Sequence, residues 1–300
     1  MSHAPEYPHT PSGQFGGALP ETRSYADSAA VILPLPFEKT VSYMPGTRNG
    51  PREIINASAQ VELWDEEVGI DIHPRGIFTL PELDLSHDEM PAAIAEMERV
   101  AGAVMDDGKF LVTLGGEHSI TPPLVAAAAK RHKGLTVLQI DAHADLRDGY
   151  QGEPNSHASA MMRTLDHASS LVQVGIRNIS EEEVKALPGL NTTIFYDWNM
   201  RDDPQWMDEV LAKLQGPVYL TIDVDGIDPA LIPATGTPEA GGLGWRELTT
   251  LLRRTFTEKQ VVACDVVELC PIPGHWSSNF VAARLVYKLL TYKLGLKPRE

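Results

Sequence analysis

The residues best suited to chemistry lie in one five-residue segment, Asp141-Ala142-His143-Ala144-Asp145. The segment follows an apolar run at 135–140, which is typical of a buried strand. Because positions two apart share one face of an extended chain, its two acids and its histidine are expected to project together. Carboxylates held this close raise one another's pKa, and a divalent cation relieves their repulsion. A polar turn with solvated acids fits the isolated segment equally well, so the other motifs must decide.

Three more predicted strands end in residues that could join such a site. Gly115-Gly116-Glu117-His118 follows the run at 110–114, Asp223-Val224-Asp225 follows the run at 217–222, and Glu268 lies near the end of the run at 261–269. Parallel strands end at one edge of their sheet, and the sites of α/β sheets lie at that edge. We therefore expect one cluster of two histidines and four aspartates, formed by His118, Asp141, His143, Asp145, Asp223 and Asp225.

The types of these six residues indicate which metal they suit. Because no cysteine is among them, the set favours a harder divalent ion such as manganese over structural zinc. Six ligands are too many for one tetrahedral zinc ion. They suit two ions about 3.5–4 Å apart that share bridging carboxylates, and such a pair makes hydroxide from water at neutral pH. The predicted reaction class is metal-assisted hydrolysis.

Strands and helices alternate between residues 29 and 296, which predicts an α/β fold with parallel pairing through helical crossovers. We expect a three-layer αβα domain with a central, mostly parallel sheet, spanning residues 29–300 as a single catalytic domain. The predicted strands are 29–35, 76–80, 110–114, 135–140, 171–176, 217–222 and 261–269. The predicted helices are 52–59, 91–107, 121–131, 156–167, a helix beginning at 180, 203–214, 244–256 and 277–294.

Two segments lack a regular apolar period. Residues 1–28 are rich in Pro, Gly, Ser and Thr, and we interpret them as an irregular N-terminal arm. The arm is either disordered or packed on a neighbouring subunit. The loop at 36–51 is long for an α/β unit, and long ordered loops are often functional.

Composition excludes several classes of protein. Lys plus Arg number 25 against 41 Asp plus Glu, a formal charge of −16, which argues against a nucleic-acid partner. The only two cysteines, Cys264 and Cys270, form no disulfide framework and suit a reducing compartment. The N-terminus shows no signal pattern, and no apolar run approaches the ~18 residues of a membrane span. We therefore expect a cytoplasmic protein with no membrane partner.

The motifs taken together resemble the ureohydrolases, the arginase and agmatinase family. The resemblance spans residues 30–295, and the segments around Tyr150 and His157 are most similar to bacterial and archaeal agmatinases. The segments that carry it are Gly115-Gly116-Glu117-His118-Ser119, Asp141-Ala142-His143-Ala144-Asp145, Asp223-Val224-Asp225-Gly226-Ile227-Asp228-Pro229, Thr235-Gly236-Thr237-Pro238-Glu239, Asp265-Val266-Val267-Glu268 and Ser42-Tyr43-Met44-Pro45-Gly46-Thr47.

The resemblance implies an arginase-like fold with two manganese ions per chain. One ion would be held by His118, Asp141, Asp145 and Asp223, and the other by Asp141, His143, Asp223 and Asp225. Asp141 and Asp223 would then bridge the two ions. Asp145 would also hydrogen-bond the bridging hydroxide. The implied reaction hydrolyses agmatine, a linear amidine, to putrescine and urea, a step of polyamine metabolism and putrescine biosynthesis.

The resemblance also implies substrate contacts. Glu268 would pair with the guanidinium of a small cationic guanidino substrate, and His157 would carry a proton to the leaving amine. Tyr150 and Thr235 would lie against the substrate. Glu239 would either hold its loop in place or contact the substrate. Ala234 and Ala240 stand where the family usually has Gly and Pro, which affects the shape of that loop. The implied assembly is a homo-oligomer, a trimer or hexamer.

Other functions stay open on the sequence alone. An arginase, a guanidinobutyrase or a formiminoglutamase would share the ligand set, and Asn155 and Ser156 could serve an arginase's amino-acid substrate. A deacetylase of the same fold would use one zinc ion and lack the full set of six ligands. A catalytically inactive member acting as a binding subunit is the non-enzyme alternative.

Overall fold

The computed structural model describes residues 3–17 and 24–296 of the chain. The strands of this part are β1 (His9–Thr10), β2 (Ala30–Leu35), β3 (Trp64–Asp65), β4 (Ile70–Asp71), β5 (Ile77–Thr79), β6 (Glu82–Leu83), β7 (Phe110–Gly115), β8 (Thr136–Ile140), β9 (Ser170–Ile176), β10 (Thr192–Tyr196), β11 (Val218–Asp223) and β12 (Val261–Val267). The helices are α1 (Gly50–Ser58), α2 (Met90–Asp106), α3 (Thr121–Ala129), α4 (Ala160–Thr164), α5 (Glu181–Ala186), α6 (Asp197–Met200), α7 (Trp206–Lys213), α8 (Trp245–Glu258) and α9 (Ser277–Gly295).

Eight strands form one central sheet in the order β10-β9-β8-β11-β12-β7-β2-β5. All neighbouring strands in this sheet are parallel. Parallel strands need crossovers, and the helices supply them, so both faces of the sheet are covered. The predicted fold class is confirmed, and the sheet is parallel throughout rather than mostly parallel.

The core lies in two apolar layers, one on each face of the sheet. Alternation along β2 shows the division, because Ile32 packs in one layer and Leu33 in the other. The first layer takes its helical side chains from α1, α7, α8 and α9, and the second from α2, α3 and α4. Both layers are made of residues that are almost completely buried, so the sheet is a rigid platform for whatever its edge carries.

Several elements differ from the sequence-based expectation. The predicted helix at 156–167 is a single 3-10 turn, His157–Ser159, followed by the short helix α4. The edge strand β10 was not predicted, because its five residues are only half-buried and give no run of buried apolar positions. Strand β12 ends at Val267, so Glu268 follows the strand instead of lying on it.

The N-terminal arm, where it is described, packs against its own chain. Strand β1 pairs antiparallel with β6, and Phe15 and Tyr25 are buried among the core residues. The amide of Phe15 donates to Oγ1 of Thr79 at 2.9 Å. This part of the arm is therefore ordered against its own chain, and its expected packing on a neighbouring subunit stays a prediction. Residues 1, 2 and 18–23 of the predicted arm lie outside the described residues.

Cys264 and Cys270 are both buried and free, as expected. Within residues 3–17 and 24–296, no helix combines the length and the apolar character that crossing a membrane requires.

Candidate active site

Four neighbouring strands bring the predicted site residues to one edge of the sheet. Strands β8, β11, β12 and β7 are adjacent in that order, and each is followed by one of the chemistry-bearing motifs. The turns after them are tight. A Cβ at Gly116 would lie 2.0 Å from the carbonyl oxygen of Phe37, and a Cβ at Gly226 would lie 2.6 Å from the amide nitrogen of Asp141. Glycine at these two positions therefore lets the motifs approach one another closely.

Three carboxylates surround the imidazole of His118. Its Nδ1 lies 3.1 Å from Oδ2 of Asp141, 3.0 Å from Oδ2 of Asp145 and 3.6 Å from Oδ2 of Asp223. All four side chains are buried. Asp145 reaches this position with a φ of 52°, a left-handed conformation, so the segment is bent rather than extended.

A second group forms around His143. Its Nδ1 lies 2.9 Å from Oδ2 of Asp225 and 3.7 Å from Oδ1 of Asp141. The ligand atoms of Asp141, His143 and Asp225 lie within 4.8 Å of one another, as do those of His118, Asp141 and Asp145. Asp141 belongs to both groups, so two metal sites sharing one carboxylate are compatible with this geometry.

Local hydrogen bonds fix the carboxylates in these positions. The amide of Ala142 donates to Oδ1 of Asp225 at 3.0 Å, and the amide of Asp225 donates to Oδ1 of Asp223 at 2.8 Å. Nε2 of Gln139 donates to Oδ2 of Asp141 at 2.7 Å. Because Asp141, Asp223 and Asp225 are already oriented, a bound ion would need little rearrangement of these three ligands.

The orientation of His118 tests whether the site suits a metal. Its Nε2 lies 2.9 Å from Oγ1 of Thr221, and that hydroxyl donates to Asp265 at 2.6 Å. The hydroxyl has one proton, so Nε2 must donate to Thr221. Nδ1 is buried and makes no well-formed hydrogen bond, although it faces the carboxylates. A buried nitrogen aimed at acids in this way is the donor arrangement that a divalent ion completes.

The charges in this cluster perturb one another. Burial and the neighbouring Asp225 and Asp141 raise the pKa of Asp223 well above its usual range. Burial alone would lower the pKa of His118, but attraction from the neighbouring carboxylates of Asp141 and Asp145 raises it well above its usual value. The crowded carboxylates repel one another, and a cation bound among them would relieve that repulsion.

A cavity opens above the cluster. His118, His143, Asp145, Asp223 and Asp225 form its floor. Its walls include Tyr43, Met44, Tyr150, His157, Thr237 and Glu268. Tyr43 and Met44, from the long loop after β2, are exposed at the surface. Every predicted metal ligand except Asp141, which is buried beneath them, therefore reaches the cavity.

Glu268 is half-buried beside the cluster in an unusual backbone conformation. Its φ is 64°, and its Oε1 accepts a hydrogen bond from the amide of His118 at 2.6 Å. Burial and the neighbouring Glu117 raise the pKa of Glu268 well above its usual range. A cationic group in the cavity would stabilise the ionised carboxylate.

Thr235 is placed differently from the expectation. It is buried and forms an isolated bridge with Leu269, and Gly236 and Thr237 are the residues of its loop that line the cavity. In the same loop, the carbonyl of Ala234 accepts a hydrogen bond from the amide of Cys270 at 2.9 Å. The side chain of Glu239 accepts a hydrogen bond from Asn178, a contact that holds the loop.

Comparisons with known proteins agree with this geometry. The profile described as "Arginase family" matches residues 28–291. The chain belongs to the arginase family. It is 41% identical over 276 residues to a protein from Synechocystis sp. named N(1)-aminopropylagmatine ureohydrolase, with 90% of each chain covered. It is 34% identical to a protein from Bacillus anthracis named agmatinase, with 87% of this chain and 90% of that one covered.

A solved structure shows the same family fold. The agmatine ureohydrolase of Thermoplasma volcanium superposes with a TM-score of 0.83 at 31% sequence identity, covering 90% of this chain and 92% of that chain. Sequence and fold are those of an agmatinase-like ureohydrolase, as the motifs predict. These relatives are named ureohydrolase and agmatinase, which are hydrolases. Their names favour an enzyme over the alternative of a catalytically inactive binding subunit.

Sequence reasoning missed Glu117, Thr40 and Thr221 as parts of the site. Glu117 is completely buried, and both Thr40 and Ser119 donate to its carboxylate. The sequence signal that could have identified Glu117 was its position between Gly116 and the predicted ligand His118. No local signal pointed to Thr40 or Thr221, because each acts through residues that are about a hundred positions away or more along the chain.

Proposed function

We propose that the protein is a binuclear manganese hydrolase that cleaves the guanidinium group of agmatine to putrescine and urea. The observation that carries the proposal is the pair of ligand groups that share Asp141 beneath a cavity lined by Glu268 and His157. Mixed imidazole and carboxylate ligands without cysteine suit manganese. Membership of the arginase family supports the same reaction class, metal-assisted hydrolysis.

Six residues would hold the two ions. His118, Asp145, Asp141 and Asp223 would hold the first, and the second would be held by Asp141, His143, Asp223 and Asp225. When bound, the ions lower the pKa of water so that hydroxide is available at neutral pH.

The chain's own residues would bind and orient the substrate. The carboxylate of Glu268, which lines the cavity, would pair with the guanidinium, a charge-assisted contact that places the central carbon above the cluster. Asp145 would accept a hydrogen bond from the attacking water. His157, on the cavity wall, would donate a proton to the amine nitrogen as its bond to carbon breaks. Tyr150 and Thr237 would limit where the alkyl chain of the substrate lies.

A longer substrate is the second candidate, because the relative from Synechocystis sp. is named for N(1)-aminopropylagmatine. Its guanidinium head group would use the same Glu268 contact. The aminopropyl extension would leave the cavity past Tyr43 and Met44, whose side chains are exposed at its mouth. The two substrates would therefore differ at the mouth and not at the metal cluster.

A urea-release assay on the manganese-loaded protein decides among the guanidino substrates, and formamide release measures the hydrolysis of formiminoglutamate, which carries a formimino group instead of a guanidinium. The panel is agmatine, N(1)-aminopropylagmatine, arginine, guanidinobutyrate and formiminoglutamate. Highest kcat/KM on agmatine supports the proposal, and highest kcat/KM on the aminopropyl compound supports the second candidate. A preference for arginine, guanidinobutyrate or formiminoglutamate would refute both.

Two ligand variants test the metal assignment. Asp145→Ala or Asp223→Ala is expected to lower kcat by more than about 100-fold, because metal-site residues outside the ligand set already cost 10–100-fold when removed. Manganese content by mass spectrometry should fall in parallel. Asp148→Ala is the matched control, because Asp148 follows the same segment but its side chain is 75% exposed. Full manganese occupancy and full rate in either ligand variant would contradict the assignment.

The cellular compartment and the oligomeric state of the protein are proposed as follows. We propose a cytoplasmic homo-oligomer, a trimer or hexamer, with a small cationic guanidino substrate. Analytical ultracentrifugation gives the subunit number directly, and a monomer at micromolar concentration would refute the oligomer.

A further inference from the structure

The carboxylate of Glu117 is a buried charge that the proposed reaction does not use. It is completely buried at the start of the 3-10 turn that carries His118. Its Oε2 accepts from the amides of Lys39 at 2.9 Å and Thr40 at 2.7 Å. Its Oε1 accepts from the hydroxyls of Thr40, at 2.9 Å, and Ser119. Four donors converge on it, so this carboxylate acts as a pure acceptor.

This arrangement determines the direction of the next hydrogen bonds. The hydroxyl of Thr40 has one proton and gives it to Glu117, so its oxygen can only accept from other groups. Two groups of His157 approach that oxygen, the backbone amide at 2.9 Å and the ring Nδ1 at 3.1 Å. Nδ1 must therefore carry the proton, which leaves the lone pair of the neutral ring on Nε2.

The other contacts of His157 agree with this tautomer. Oγ of Ser42 lies 3.4 Å from Nε2 and can donate to its lone pair. Oγ of Ser156 also lies 3.4 Å from Nδ1, farther than Thr40, and it accepts the amide of Ala158. Tyr150 packs edge-on against the ring with centroids 6.2 Å apart, which restricts rotation of the imidazole. The ring is thus held from the loop after β2 on one side and by Tyr150 on the other.

We propose that Thr40 and Glu117 are positioning residues that keep the His157 proton on Nδ1, so that Nε2 alone exchanges protons in the cavity. The inference rests on the proposed function, in which His157 serves the leaving amine. Nε2 takes up a proton from the water that hydrolysis consumes. It gives that proton to the amine nitrogen as the carbon–nitrogen bond breaks, and His157 returns to the same neutral tautomer.

The first test removes the hydroxyl and keeps the shape of its side chain. Thr40→Val is expected to lower kcat by about 10–100-fold, within the range that general acid–base catalysis supplies, while KM changes little. Thr40→Ser keeps a hydroxyl and should stay within about threefold of wild type, since the same hydrogen bonds can form. Manganese content should be equal in all three proteins. Thr249→Val is the matched control, because that hydroxyl bonds only to backbone oxygens within α8.

The second test observes the tautomer directly and needs no activity. Metal-free protein carrying ¹⁵N-labelled histidine is studied by NMR at about pH 8, above the ordinary pKa of histidine. The His157 signals are identified by their loss in His157→Gln. We expect a protonated, pyrrole-type Nδ1 and an unprotonated, pyridine-type Nε2 in wild type and Thr40→Ser. In Thr40→Val we expect the two tautomers to mix.

Each possible result of these two tests either supports or overturns the inference. A wild-type proton on Nε2 would overturn the inference, as would a Thr40→Val protein that retains wild-type kcat. If the wild-type protein hydrolyses no guanidino compound, the proposed function fails, whereas the NMR result still decides whether Thr40 and Glu117 set the tautomer. If Thr40→Val does not fold, the inference is decided by the wild-type spectrum and the Thr40→Ser rate. A proton on Nδ1 and a rate within about threefold of wild type support it, and a proton on Nε2 overturns it.

Discussion

His118 and His157 are oriented by the same chemical arrangement, in which a threonine hydroxyl lies between the imidazole and a carboxylate. Thr221 stands between His118 and Asp265, and Thr40 stands between His157 and Glu117. In each case the hydroxyl gives its only proton to the acid and must accept from the imidazole. The ring nitrogen that faces the functional cluster is thereby left with its lone pair. For His118 this nitrogen faces the candidate metal ligands, and for His157 it faces the cavity.

The hydroxyl of Thr221 should therefore set metal affinity. Thr221→Val removes the acceptor for Nε2 of His118 and is expected to weaken manganese binding by about 10–100-fold, as for other groups behind a metal ligand. Isothermal titration calorimetry measures this change. Thr221→Ser is the matched control, since it retains the hydroxyl, and it should bind like wild type. Equal affinity in Thr221→Val and wild type would show that this hydroxyl does not orient the ligand.

At the scale of elements, two carboxylates hold the long loop after β2 in place over the cavity. Glu117 binds its first part through the amides of Lys39 and Thr40. Glu38 binds its last part, accepting from the amide of Gly46 at 2.7 Å, the hydroxyl of Thr47 at 2.9 Å and Nε of Arg48 at 3.0 Å. The loop has almost no regular structure. These hydrogen bonds to carboxylates therefore satisfy polar groups that a strand or helix would pair within its own backbone.

Glu38 should make the stability of this loop depend on pH. Burial opposes its ionisation, but the hydrogen bonds from Gly46, Arg48 and Thr47 together lower its pKa below the ordinary 4.5. Because the folded pKa is the lower one, the stabilisation is complete above pH 4.5 and is lost as the pH falls through the folded value.

Glu38→Gln is the corresponding variant. We expect it to lower the free energy of unfolding at neutral pH by about 1.5–3 kcal/mol, the usual worth of hydrogen bonds to a charged group. Urea unfolding at several pH values should show the gap to wild type narrowing below pH 4.5. The exposed Glu62→Gln is the control and should show no gap. A gap that stays constant as the pH falls would contradict this account.

At the scale of the whole molecule, the parallel sheet places its acids together. The adjacent strands β8 and β11 end at one edge of the sheet, and each end carries two of the four buried aspartates of the cluster. Their mutual repulsion destabilises the metal-free fold unless protons or cations relieve it. Metal binding should therefore contribute to the stability of the entire domain.

Removal of metal should lower the melting temperature. A ligand at 100 times its Kd stabilises the folded state by about 2.7 kcal/mol, which corresponds to a shift of roughly 5 °C in a chain of this size. Differential scanning calorimetry with and without a chelator measures the shift. In Asp145→Ala the chelator should have a smaller effect. A wild-type melting temperature that responds to neither manganese nor chelator would exclude a metal site in the core of the fold.

Local pattern in the sequence was sufficient for seven of the eight strands of the central sheet, for most helices and for the residues that meet at the edge of the sheet. Runs such as 110–114 and 135–140 are buried on both faces, so their composition alone marks them as central strands. The motifs that follow them then share an edge because parallel strands must. The half-buried β10 has no such pattern and was not predicted, and His157–Ser159 was predicted as part of a longer helix at 156–167.

The sequence by itself thus determined the α/β architecture and brought two histidines, four aspartates and Glu268 to one place. Only the tertiary structure decided how those groups are oriented. It placed Thr237 rather than Thr235 on the cavity wall, and it joined Thr40 to His157 and Glu117. The physical reason is range: periodicity and turn chemistry act over a few residues, whereas the direction of a hydrogen bond depends on which distant segments come into contact.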